Sequence, residues 1–162
     1  MGVDLTFTLV VAATASIGLL AGASLDQSIK QLPARHRIGA VAYSQYSRAA
    51  DLGNGILFYG ILGIVAALLN IAAAIAAYSQ GVSSHQANPI YVGAVFAILH
   101  SLTTTQAAPI NFSQRKVPAD DEAALASVFD SFTSWQNIRC ALQILNFGVN
   151  LWALIVYAQG PD

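Results

Sequence analysis

Four uncharged apolar runs, separated by two polar stretches and one short turn, set the plan of this chain. Leu5 to Leu25 carries no charge and is long enough to cross roughly 30 Å of hydrocarbon as a helix. A secretory leader would want a basic start and a shorter core. Only Asp4 precedes the run, so the pattern predicts a retained first span. Gly53 to Tyr78 reads as the second span, the run from Ile90 as the third, and Ile138 to Tyr157 as the fourth. The expected spans are about 5–25, 53–78, 90–107 and 138–157, in one domain covering residues 1–162.

The polar stretches predict shorter helices. In the first, Pro33 suits a first helical turn, where its missing N–H costs nothing. Ile38, Val41 and Ala42, with Tyr46 one turn on, then follow helical spacing, as in an amphipathic helix lying at a membrane interface. In the second, Pro118 and the acids Asp120, Asp121 and Glu122 mark a helix start. That helix would carry Leu125, Val128, Phe129 and Phe132 on one face. The expected class is therefore all-α: an integral membrane four-helix bundle with short interfacial helices in the connections 26–52 and 108–137.

Composition supports this plan. The chain is 56% hydrophobic and 9% charged, whereas soluble domains carry about 25% charged residues. A soluble fold would have almost nothing with which to cover its surface. All seven Lys and Arg residues lie in or beside the two polar connections: Lys30, Arg35, Arg37 and Arg48, then Arg115, Lys116 and Arg139. With four spans those connections share one side, and the bias of basic residues predicts a multi-pass plasma (inner) membrane protein with that side cytoplasmic and both termini outside.

Few residues offer chemistry. The single cysteine, Cys140, excludes an internal disulfide and reads as a packing residue. The chain has no Gly-rich phosphate loop, nucleophile elbow, HExxH or paired carboxylate within a span, and nucleic-acid binding is unsupported. His100 is an ionisable group at the edge of the third span, which makes it a functional candidate beside the simpler reading of an interhelical hydrogen bond. No metal is expected. A haem or metal at His100 stays open but short of partners, because His36 and His85 fall in other connections.

Arg139 opens the fourth span, either as an interfacial snorkelling residue or as a fixed cation for a phenolate or enolate. Asn111 follows Pro109 and reads as a cap, a turn residue or a site residue. Arg48 and Asp51, three apart, suit a surface ion pair. Gln143, Asn146 and Asn150 share a helix face that should point inward, and the asparagines, with Asn70, suit contacts between helices.

Together these pieces resemble the anthrone oxygenase-like family of small four-helix membrane proteins. The likeness rests on the Gly/Ala-rich first span and on a connection ending in Tyr46-Ser47-Arg48, one residue shorter than the family's Tyr-x-x-Arg. It also rests on a third span closing on Thr and Pro109-Ile110-Asn111, an acidic helix start, and Trp135-Gln136-Asn137-Ile138-Arg139 before the last span. The resemblance implies oxidation of a hydrophobic, anthrone-type aromatic by molecular oxygen without a cofactor. It further implies His100 as base, Asn111 and Arg139 as oxyanion partners, and Tyr46, Trp135 and Asn137 around the substrate. The bilayer and a hydrophobic small molecule are the expected partners, and a homo-oligomer or larger membrane complex is compatible. A non-catalytic membrane subunit, or a carrier of a hydrophobic ligand or haem, is the competing expectation.

Overall fold

The computed structural model describes residues 4–160, and among these there is no strand. Helix α1 (Leu5–Asp26) starts where Asp4 Oδ1 accepts the Phe7 N–H at 3.1 Å. A π-helical turn, Gln27–Gln31, leads into α2 (Leu32–Ile38), which has Pro33 in its first turn. At Gly39, φ is +84°, a conformation only glycine adopts freely, and the chain turns there into α3 (Ala40–Ala49). A second π-helical turn, Ala50–Gly55, kinks at Gly53 and passes into α4 (Ile56–Ser79). Helix α5 (Ser84–Ser113) ends in a 3-10 turn, Gln114–Lys116, and α6 (Glu122–Ala158) completes the chain.

Four helical stretches are long and apolar enough to cross a membrane. They form a ring in which α1 packs on α4 and α6, while α5 packs on α4 and α6. Large apolar side chains such as Leu57, Phe58, Ile61 and Leu68 face outward, while Asn70, His100, Gln143 and Asn146 are buried. That arrangement reverses the soluble pattern and fits hydrocarbon as the surrounding solvent.

Several boundaries differ from expectation. The fourth span and the amphipathic segment before it form one helix of 37 residues. No Gly or Pro interrupts it between Glu122 and Phe147, and Arg139 is absorbed on its inner side. At about 55 Å this helix exceeds the hydrocarbon thickness, so part of it stands clear of the spanning region. Helix α5 likewise passes through Pro109 to Ser113, and in the turns before the proline Thr103, Thr104 and Thr105 bond back to the carbonyls of His100 and Leu102. In α3 the buried face is Ala40, Tyr43, Ser44 and Ser47, while Ile38, Ala42 and Tyr46 face outward. The polar side of this segment turns inward because it has hydrogen-bonding partners there.

Those partners belong to the other polar connection, so the two connections clasp at one end of the bundle. Arg48 Nη2 donates to the carbonyls of Gln114 and Val117, and Arg115 Nη2 donates to the Leu52 carbonyl at 2.7 Å. The fully buried Gln114 accepts from Ser44 Oγ at 3.1 Å and donates to Ser47 Oγ at 3.2 Å. Arg35 pairs with Asp130 at 2.6 Å, and the Glu122 carboxylate accepts the Ala40 N–H at 2.6 Å. Beneath this clasp lies a core of Leu32, Tyr43, Leu125, Phe129 and Phe132.

Midway along the bundle, Asn150 Nδ2 donates to Asn70 Oδ1 at 3.0 Å and to Asn146 Oδ1 at 2.8 Å. Gly93 of α5 lies flat against this group, and a Cβ there would come within 3.2 Å of Asn70 Oδ1. Asn150→Leu strips Asn70 Oδ1 of its interhelical donor, and a loss of about 0.6–1.7 kcal/mol is expected. Reversible unfolding in mixed micelles checks this, with the half-exposed Leu151→Ala on the same helix as the milder control.

Candidate functional site

A cavity of about 840 Å³ opens between α1, α4, α5 and α6 on the side of the clasp. Small-molecule sites fall at about 300–1,000 Å³. Its space comes from glycine: Gly22, Gly60 and Gly63 line it, and a Cβ added at any of them would meet nothing within 4 Å. These residues open a slot rather than tighten a helix contact. Gly18 serves the other purpose: the Phe147 ring lies against its backbone, and a Cβ there would come within 2.9 Å of the ring. The rim is apolar and exposed, with Leu19, Ile56, Tyr59 and Ile64.

His100, Asn111 and Arg139 all line this cavity, joined by Asp51, Gln27 and Gln143. Helix geometry explains the convergence: Arg139 and Gln143 are one turn apart on the inner face of α6, and His100 and Thr104 one turn apart on α5. His100 is buried, and its Nε2 lies 2.7 Å from Gln143 Nε2 and 3.4 Å from Thr104 Oγ1. With Gln143 as donor, the imidazole proton sits on Nδ1; with the amide turned over, Nε2–H donates to Gln143 Oε1. In both arrangements Nε2 is engaged across the helix interface. Gln143 Oε1 has no partner and is buried.

Arg139 is placed differently. Among the described residues no hydrogen bond or ion pair is made by its guanidinium, and its Nε is buried without a partner. The clasp arginines Arg48 and Arg115, by contrast, are each held by backbone carbonyls. A snorkelling role fits poorly, because the side chain faces an internal cavity. Asn111 is not a cap: it lies in the last turn of α5 and its Oδ1 accepts from Gln114 Nε2 at 2.7 Å. That bond leaves the Asn111 NH2 as an available donor at the cavity wall.

The three aromatic and amide positions expected around a substrate do not reach the cavity. Tyr46 is 47% exposed on the outer face of α3. Trp135 packs against the Leu32, Tyr43 and Phe129 core, and Asn137 is exposed, about 200° around the helix from Arg139. Tyr59, Phe112 and Phe132 supply the aromatic lining instead. The expected Arg48–Asp51 pair is also absent, because Arg48 is spent on the clasp. Sequence reading missed Asp51 and Gln143 as cavity residues; the signal for Gln143 was its spacing of four from Arg139 on a face already read as internal. Among the described residues no three His, Cys, Asp or Glu side chains gather where a metal could be held.

A half-buried cation whose Nε is buried without a partner costs stability. Arg139→Met in the ligand-free protein is therefore expected to leave the unfolding free energy unchanged or raise it by about 1–3 kcal/mol. Unfolding in detergent measures this, and a fall of similar size would show that the guanidinium supports the fold.

No protein-family model, curated protein or solved structure matches this chain, so the reading of its function rests on the cavity and on the motif residues that line it.

Proposed function

We propose that this protein is a multi-pass membrane oxygenase that takes a flat hydrophobic aromatic of the anthrone type into the cavity. In this reading the clasped end faces the cytoplasm, in keeping with the placement of the basic residues. The observation that carries it is Arg139, an arginine at the cavity that makes no ion pair or hydrogen bond among the described residues. A phenolate or enolate oxygen is the partner such a site is built to take, because arginine stays protonated and offers several donors. The Asn111 NH2 adds a further donor. The apolar rim of Leu19, Ile56 and Ile64 suits entry from hydrocarbon.

The reaction needs no cofactor, because the substrate supplies the electrons. Loss of a proton from the methylene between the rings leaves an enolate whose charge rests on the oxygen beside Arg139. The enolate passes one electron to molecular oxygen, and the radical pair joins through a new C–O bond to give a hydroperoxide. Removal of the second hydrogen from that carbon, with cleavage of the O–O bond, releases water and leaves a second carbonyl. One anthrone and one oxygen molecule thus give one anthraquinone and one water.

A carrier that binds the same molecule without turnover is the second reading, and the engaged Nε2 of His100 favours it over a histidine-based reaction. The test uses protein in lipid nanodiscs with anthrone as the probe, following anthraquinone absorbance and oxygen uptake. The oxygenase reading expects one oxygen consumed per anthraquinone, and a loss of about 100-fold or more in turnover for Arg139→Met. Bound anthrone with no rate above protein-free nanodiscs would leave the carrier.

A further inference from the structure

Asp51 is a carboxylate that neither the clasp nor the resemblance uses. It lies in the π-helical turn between α3 and α4 and lines the same cavity as Arg139. Its position is fixed locally: Gly55 lies so close to the Ala50 carbonyl that a Cβ would come within 2.8 Å of it. The two carboxylate oxygens differ. Oδ2 accepts from Ser47 Oγ at 3.0 Å and from Gln27 Nε2 at 3.4 Å. Oδ1 accepts no hydrogen bond among the described residues, and Asp51 lines the cavity. Arg48, which the sequence spacing would pair with it, is bound to the carbonyls of Gln114 and Val117, and no ion pair joins Asp51 to Arg139.

One oxygen is held by two donors from two segments, and the other has no donor, on a residue that lines the same cavity as a guanidinium without a hydrogen bond or ion pair. A base needs that division: an anchored carboxylate with a lone pair directed at the substrate. His100 offers no such atom at Nε2, which Gln143 engages at 2.7 Å. We propose that Asp51 is the group that takes the methylene proton, with Arg139 holding the charge that forms on the far oxygen. This rests on the reading of an anthrone-type substrate. The C–H bond breaks as an O–H bond forms at Oδ1, and the electron pair moves through the ring system to the substrate oxygen. Negative charge thereby passes from the carboxylate to the oxygen beside the guanidinium. Molecular oxygen then takes the electrons, and the proton leaves in the water released.

Without oxygen the first step stands alone and is reversible, so it can be read as deuterium exchange. Anthrone is incubated anaerobically in deuterated buffer with protein in nanodiscs, and label at the methylene is followed by mass spectrometry against protein-free nanodiscs. Wild type is expected to accelerate exchange, and Asp51→Asn to lose that acceleration by about 100-fold or more. Asp51→Asn should still bind anthraquinone, which has no proton to give, within about threefold of wild type, a difference of under 1 kcal/mol. Exchange by Asp51→Asn at the wild-type rate would overturn the assignment and leave the oxygenase reading in place. No acceleration by wild type, together with no anthraquinone formed in air, would remove both. If Asp51→Asn loses product binding, Asp51→Ala with added formate decides: restored exchange supports a carboxylate base at this place, and its absence overturns it.

Discussion

A charge inside an apolar bundle must be answered by something, and that requirement organises this molecule. Hydrocarbon offers no hydrogen bonds, so each polar group within the spans must find its partner in the protein or in a ligand. Most do. Helix α6 carries Gln136, Gln143, Asn146 and Asn150 in one inward stripe, in which Gln143 bonds to His100 on α5 and Asn150 to Asn70 on α4 and to Asn146. Arg139 stands in the same stripe with no protein partner. On the helices around it Gly22, Gly60 and Gly63 leave space unfilled rather than making close contacts, and they line the cavity.

The clasp completes the arrangement from outside the spans. Two of the basic residues do local work: Arg48 and Arg115 each cross to the other connection and bind backbone carbonyls there. Spending Arg48 in this way leaves Asp51 without its nearest cation. The fold thus parts Asp51 from the arginine that ordinary helix spacing would have paired with it, and places it on one cavity with Arg139.

The four spans were legible because apolar run length is a local property, and hydrocarbon thickness sets it directly. The inward face of Gln143, Asn146 and Asn150 was legible for the same reason, from period alone. The continuity of α6 was not, because an arginine at the head of an apolar run reads as a boundary, and only the cavity beside Arg139 explains its place inside the helix. The inward face of α3 was not legible, since the serines facing Gln114 are stabilised by partners far along the chain, at separations of 70 and 67. Asp51 was hidden behind a plausible neighbour for the same reason. His100, Asn111 and Arg139 line one cavity, whereas Trp135 and Asn137, close to Arg139 in sequence, face elsewhere, as does Tyr46.

The clasp also bears on the order in which the protein comes into being. Leu52 and Asp51 leave the ribosome long before Arg115 and Gln114, and Arg139 follows later still. A chain made only as far as α4 already has Gln27 and Ser47 to hold Asp51, but neither the α5 and α6 walls nor Arg139. The cavity is therefore a late product of synthesis, closed only when the last helix packs against the first.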